Sequence, residues 1–238
     1  GTAIFTDKAV NSFYSYKFDK LDENGLPTFK DIEETEGITK EEMYAKVFEY
    51  SGNRVPDIQG GIGTTFTYKN WSLNLFFSYS LGSHIRLNNL YSDLGQQLPQ
   101  PQQNMSDEFV NRWRKPGDEA WSVIPTLSNE TLGMTGGLFD EPRDIEIANN
   151  KWQMYNKSDL RVVSGNYIRL RNVSLRYGVP SRFCQRARLK AANMRLEAAN
   201  PVLFASKKLL GQDPEQLTLG GPTTPPVASF TLGIDVTF

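Results

Sequence analysis

The sequence predicts an all-β chain whose strands are staves of an antiparallel transmembrane β-barrel with long loops at one rim. Three observations lead there. Ser229–Phe238 places Phe230, Leu232, Ile234, Val236 and Phe238 on one parity and Thr231, Gly233, Asp235 and Thr237 on the other. Side chains alternate faces along a strand, so one face of this segment is wholly apolar. Trp71–Leu81 repeats the pattern: Trp71, Leu73, Leu75, Phe77, Tyr79 and Leu81 oppose Ser72, Asn74, Ser78 and Ser80, and only Phe76 breaks the polar set. Short and very long connections alternate between such segments, as they do in outer-membrane barrels.

Composition is compatible with this. The chain has 238 residues, with Lys+Arg 26 against Asp+Glu 27 and a net charge of −1, which gives no reason to expect nucleic acid. Mean hydropathy is −0.47, and no apolar run approaches the ~20 residues of a membrane helix. Barrel strands are apolar on alternate residues only, so neither fact opposes a barrel. Aromatic residues make up 12% of the chain, which suits aromatic girdles. Cys184 is the only cysteine and His84 the only histidine. That excludes an internal disulfide, most zinc sites and any triad built on a second histidine. No signal peptide stands at Gly1-Thr-Ala-Ile, so on the membrane reading the chain is a mature or truncated piece.

The elements follow in order. A first strand lies near 10–18, within Asn11-Ser-Phe-Tyr-Ser-Tyr-Lys-Phe18, and Asp22-Glu-Asn-Gly25 forms a turn. A charged connection follows, with a helix from Lys40 to Phe48. Strands at 61–68 and 71–82 are joined by Lys69-Asn70, a hairpin-length link. A long irregular stretch runs to about Leu160, holding Pro99-Gln-Pro-Gln-Gln, Lys115-Pro-Gly-Asp and Gly136-Gly137. Within it, Ser106 caps a short helix through Trp113.

The 165–179 strand carries an irregularity. Val173, Leu175, Tyr177 and Val179 share one parity, yet Ile168 and Leu170 belong to the other. A single parity facing lipid throughout would put Arg169 and Arg171 there too, at about 2–4 kcal/mol each near the midplane. Either a bulge near Arg171-Asn172 switches the faces, or the segment before it stands above the bilayer; the second reading is preferred. Pro180 ends the strand, and Ser181–Arg188 is a basic short helix or turn. In the 193–204 strand Met194, Leu196 and Ala198 oppose Arg195 and Glu197, and a Gly/Pro-rich loop leads to the last strand at 229–238.

If Phe238 ends at the periplasm, the links 69–70 and 180–192 are periplasmic, and 19–60, 82–160 and 205–228 extracellular. Six strands leave two open edges, and closed barrels begin at about eight strands. Other strands must therefore complete the wall.

These residues resemble a known family. Phe66-Thr-Tyr-Lys-Asn-Trp-Ser-Leu-Asn-Leu-Phe-Phe-Ser-Tyr-Ser-Leu-Gly82 is similar to a strand pair of the SusC/RagA family of TonB-dependent outer-membrane transporters. So are Asn11-Ser-Phe-Tyr-Ser-Tyr16, Asn111-Arg112-Trp113, Ser158-Asp159-Leu160, Gly165-Asn-Tyr-Ile-Arg-Leu-Arg-Asn-Val-Ser-Leu-Arg-Tyr-Gly-Val-Pro180, Asp213-Pro214-Glu215 and Thr231–Phe238, in the family's order. The resemblance implies the C-terminal strands of a 22-stranded barrel that imports glycans, oligosaccharides or peptides. It further implies a SusD-like surface lipoprotein as lid, TonB–ExbB–ExbD as energy source, and a plug domain upstream of Gly1. The family's aspartate- and glycine-rich turn before the Gly61 strand is replaced by Glu33-Glu-Thr-Glu-Gly37.

Candidate contacts are few. Trp113, Trp121, Trp152 and Tyr155 are suited to stacking on sugar rings, packing the loop or meeting a lid protein. Arg195 and Glu197 on the polar face suit either substrate contact or mutual pairing. Acidic groups at Asp19, Asp22 and Glu23, and at Asp140, Glu141, Asp144 and Glu146, offer oxygen ligands for calcium without EF-hand spacing, so solvated loops are expected. His84 reads as a solvated loop residue and Cys184 as a bystander. No catalytic pair, metal site or cofactor is expected. The competing reading is a secreted β-sandwich carbohydrate-binding module, in which a second sheet would cover the apolar faces.

Overall fold

The computed structural model describes residues 9–30, 40–91, 104–127, 151–217 and 224–238. The Glu33–Gly37 stretch, Pro99–Gln103, Gly136-Gly137 and the acids from Asp140 to Glu146 lie outside the described residues. The elements are β1 (Ser12–Tyr16), β2 (Phe18–Leu21), β3 (Pro27–Phe29), α1 (Lys40–Val47), β4 (Phe48–Asn53), β5 (Ile58–Tyr68), β6 (Trp71–Leu81), β7 (His84–Arg86), α2 (Lys151–Asn156), β8 (Val162–Ser164), β9 (Tyr167–Gly178), α3 (Ser181–Arg186), β10 (Ala191–Ala205), α4 (Pro214–Leu217) and β11 (Ser229–Thr237). The chain forms two compact units, one from Gly1–Arg54 with Arg86–Val163, the other from Val55–Ile85 with Ser164–Phe238.

The second unit is built on an antiparallel five-stranded sheet in the order β11-β10-β9-β6-β5. Its register gathers the apolar parities onto one face. Tyr68, Trp71, Tyr177, Met194 and Ile234 form one row across the strands; Phe66, Leu73, Leu175, Leu196 and Leu232 form the next. The rings of Trp71 and Tyr177 stack with centroids 4.4 Å apart. This face is uncovered: Ile62 is 60% exposed, Leu232 66% and Phe230 73%. Among the described residues no second sheet lies on that face, which a β-sandwich would place there.

A bulge resolves the irregularity in β9. Phe76 pairs with Asn172 and Phe77 with Leu170, leaving Arg171 as an extra residue. The insertion flips parity, so Ile168 and Leu170 join the apolar face with Tyr79 and Phe77, while Tyr167 and Arg169 turn to the polar face. The preferred expectation, that this segment stands above the bilayer, is not needed to spare the arginines. In β10 the disturbance continues: Ala199 pairs with Asn172 and Val202 with Leu170, with Asn200 at φ +49.

Phe76 also has a reason to stand on the polar face. It pairs with Gly63, and a Cβ added at Gly61 would come within 2.9 Å of its Cζ. The ring fills the space that two glycines of β5 leave empty.

The first unit has a core of its own. Leu90, Tyr91, Phe109, Ile124, Trp152 and Tyr155 are buried together, with Phe18, Phe29 and Leu127 against them. The Trp152 ring lies 5.6 Å from that of Tyr91 and 5.5 Å from that of Tyr155, in edge-on contacts. Asn156 ties the segment down by accepting from the Leu90 amide at 2.9 Å and donating to the Tyr91 carbonyl at 2.6 Å.

β1 corrects an expectation. It is a strand, but it pairs with β4 in the first unit and is buried along its whole length. At five residues it is shorter than the ~9–11 a membrane strand needs, and Phe13, Tyr14 and Tyr16 occupy both parities. Among the described residues the large sheet therefore has five strands, without β1. The remaining expected strands appear with slightly moved ends. Ser106 does cap a turn, accepting from the Glu108 amide, but the turn is a 3-10 helix ending at Asn111. His84 lies in β7, half-buried, instead of in a solvated loop.

Candidate functional site

The polar face of the five-stranded sheet is the chemically equipped surface of the second unit. Nearest the Lys69-Asn70 turn, Arg176 and Arg195 are directly opposed on neighbouring strands, with Ser72 beside Arg176. Like charges so placed repel, and Glu197 relieves one of them: its Oε1 lies 3.5 Å from Arg195 Nε. Ser174 donates to the same carboxylate oxygen at 3.4 Å. Arg195 and Glu197, singled out from the sequence, are thus brought together, two residues apart on one face, and both remain about one-third exposed. Asn74 and Thr65 continue the strip, joined by a hydrogen bond of 3.1 Å. Such a surface offers donors, acceptors and both signs of charge to a polar solute.

Towards the other end, the segment after β10 folds back onto the polar face. Ser206 caps a short 3-10 turn by accepting from Lys208 N, Leu209 is fully buried, and Asp213 Oδ1 accepts from the Glu215 amide at the start of α4. Arg169 donates to both Asp213 oxygens at 2.6 Å. Arg171, the bulge residue, donates to Glu215 Oε1 and, through Nε, to Ser78 Oγ at 2.9 Å. Tyr167 donates to the same Glu215 oxygen at 2.6 Å. The charges are mutually matched, so this cluster holds a loop in place.

Reasoning from sequence missed this cluster. Its signal was present: Arg169 and Arg171 at alternate positions between Ile168, Leu170 and Val173, and two acids flanking the proline of Asp213-Pro214-Glu215.

In the first unit the tryptophans divide. Trp113 is buried, donates from Nε1 to Glu119 Oε2 at 3.0 Å, and lies over Gly25, where an added Cβ would fall 2.4 Å from its Cδ2. Gly25, at φ +75, is therefore a position for glycine alone. Trp152 is sealed in the core. Trp121 alone among these presents its ring, at 58% exposure. Hydrogen bonds from its own backbone amide and from the Trp113 indole hold the Glu119 carboxyl below its ordinary pKa. Burial pushes the Tyr155 phenol up to about 12.

Two further polar anchors explain the Ser158-Asp159 motif. Ser158 is fully buried and donates to the Tyr155 carbonyl at 2.7 Å, while Asp159 accepts from the Phe18 amide at 3.1 Å. Beside them Arg161 meets Glu108 at 2.6 Å and donates to the Asn88 carbonyl at 2.7 Å. Arg86 donates to Tyr14 O and Ser15 Oγ, and burial lowers its pKa to about 10. Among the described residues no group of three or more His, Cys, Asp or Glu is placed to hold a metal ion. Asp22 serves a turn, accepting from the amides of Asn24 and Leu26. No described helix is long and apolar enough to cross a membrane, which leaves crossing by strands open.

No family model matches the chain. In sequence it is 26% identical over 200 residues to TonB-dependent receptor P3 of Formosa agariphila, a match covering 79% of this chain and 17% of that protein. In structure it is similar to the RagAB peptide importer in its open-open state, with a TM-score of 0.59 at 20% identity, over 95% of this chain and 22% of that one. The RagAB peptide transporter matches equally, with a TM-score of 0.59 at 19% identity over 95% and 23%. The chain thus spans less than a quarter of the length of each. These relatives are a receptor, an importer and a transporter. Sequence and fold together support a SusC/RagA-type TonB-dependent transporter fragment, whose place is the outer membrane of a Gram-negative cell.

Proposed function

We propose that this SusC/RagA-type fragment supplies five neighbouring strands to the wall of a 22-stranded outer-membrane barrel that imports peptides or oligosaccharides. The observation that carries the reading is the uncovered apolar face, whose rows run unbroken across the sheet. Burying that area in lipid is favourable at about 25 cal/mol per Å², whereas in water the face would drive aggregation. Both edges, β5 and β11, lack a described partner, and unpaired backbone groups in hydrocarbon cost several kcal/mol each. Further strands on each side answer that cost. The polar face then lines the lumen, and Arg176, Arg195 and Glu197 meet a plug or a solute.

Energy comes from TonB–ExbB–ExbD and a SusD-like surface lipoprotein closes the outer mouth; both follow from the family resemblance. Peptide cargo is supported by the likeness to RagAB and by the mixed charges of the polar strip. Oligosaccharide cargo is supported by the exposed ring of Trp121. The test is uptake by cells carrying, lacking or re-expressing the complete gene, supplied with labelled peptides or oligosaccharides, with and without TonB. TonB-dependent uptake of one class that disappears with the gene is expected. Undiminished uptake of both classes in the deletion strain would remove the import reading.

A further inference from the structure

The link between β9 and β10 carries a feature that import does not use. Ser181-Arg-Phe-Cys-Gln-Arg-Ala-Arg-Leu-Lys190 holds four cations and no acid. Arg182, Arg186, Arg188 and Lys190 are all exposed. None of them forms an ion pair with a described residue. Resting on the membrane reading above, we propose that this link binds the phosphate headgroups of anionic phospholipids in the leaflet at this rim of the sheet.

Position supports it first. β9 runs into the link directly from Tyr177, and Tyr177 belongs to the row that holds Tyr68 and Trp71. Aromatic rings of that kind mark the depth at which hydrocarbon gives way to headgroups. The cations begin a few residues beyond, at headgroup depth. Lys69, in the neighbouring turn at the same rim, lies with its ammonium 5.2 Å from the Tyr68 ring centroid.

The link is also a fixed platform. Cys184, within α3, is buried, the Leu189 amide donates to the Cys184 carbonyl at 2.9 Å, and the Lys190 amide donates to the Thr237 carbonyl at 2.8 Å. Arg188 takes the left-handed conformation that closes the turn. A chain held this way spends little entropy in presenting its cations. Phe183 is 47% exposed beside them, with the Arg182 guanidinium 4.8 Å from its ring centroid. An exposed ring flanked by exposed cations fits a surface that is oily just below and anionic just above.

The test uses the complete protein, purified in a neutral detergent and titrated with phosphatidylglycerol, phosphatidylcholine or inorganic phosphate, with bound lipid counted by native mass spectrometry. The wild type is expected to retain phosphatidylglycerol about tenfold better than phosphatidylcholine. Joint replacement Arg182→Gln, Arg186→Gln, Arg188→Gln and Lys190→Gln is expected to abolish that preference while heat-modifiable migration on gels persists. If the joint variant fails to fold, Arg186→Gln and Arg188→Gln singly carry the test through partial losses. Equal preference in wild type and variants overturns the proposal, as does inorganic phosphate competing as well as lipid. Wild-type protein that stays soluble without detergent refutes the membrane reading itself; an embedded protein with no lipid preference refutes only the headgroup site.

Discussion

Arg169 of β9 and Asp213 of the loop after β10 meet at 2.6 Å with side chains only 3% and 1% exposed. A buried pair of this kind contributes modestly as a pair but is expensive to break from one side. Asp213→Ala is expected to destabilise the 206–217 segment by about 3–5 kcal/mol. The joint change Arg169→Met with Asp213→Leu costs much less. Protease accessibility of 206–217 in the assembled protein checks both, and equal damage from the two variants would contradict the assignment.

Arginine on the apolar face should prevent assembly. In the proposed barrel, Leu75→Arg and Leu175→Arg each place a guanidinium in hydrocarbon at about 2–4 kcal/mol. The natural control, Ser78→Arg on the polar face, is spoiled by the hydrogen bond that Ser78 accepts from Arg171. Thr231→Arg is the better control, because Thr231 pairs with Glu197 across the ladder. Heat-modifiable gel migration should be lost in the two leucine variants and kept in the threonine variant.

Gly25→Ala joins backbone strain to a collision with Trp113. Loss on the order of 2–5 kcal/mol from the first unit is expected. Proteolysis between 104 and 127 should accelerate, whereas Gly117→Ala, where nothing lies within 4 Å of the added carbon, should show only the strain of its φ of +101.

The Glu119 carboxyl titrates below its ordinary value in the folded chain. The unfolded state therefore binds more protons as pH falls, and the contribution is complete above the ordinary carboxylate range and lost as pH drops through the folded pKa. Fluorine NMR of a fluorotryptophan at position 113 should report that loss as an acid transition. Glu119→Gln should remove the transition without moving the neutral-pH spectrum far.

Much of the sheet was legible because strands with one wholly apolar face obey a strict alternation, and β6 and β11 carry it almost without exception. The faces of β9 were ambiguous because one inserted residue resets parity, and parity alone cannot locate an insertion. β1 misled for a different reason. Aromatic residues mark a strand equally well whether it meets lipid or is buried within a loop unit, and only the partner strand β4 tells them apart. Among the candidate residues, the shared face of Arg195 and Glu197 was legible because alternation put both on the polar side. Trp113 was not distinguishable from Trp121, since the glycine beneath it lies 88 residues away in the chain.

The extra residue at Arg171 acts as a change of reading frame within one stave. On one side of it odd numbers carry the apolar face, on the other even numbers do. Any gapless comparison of this strand with a relative lacking the insertion will therefore exchange greasy and wet positions along half its length, and substitutions chosen from such a comparison will land on the wrong surface.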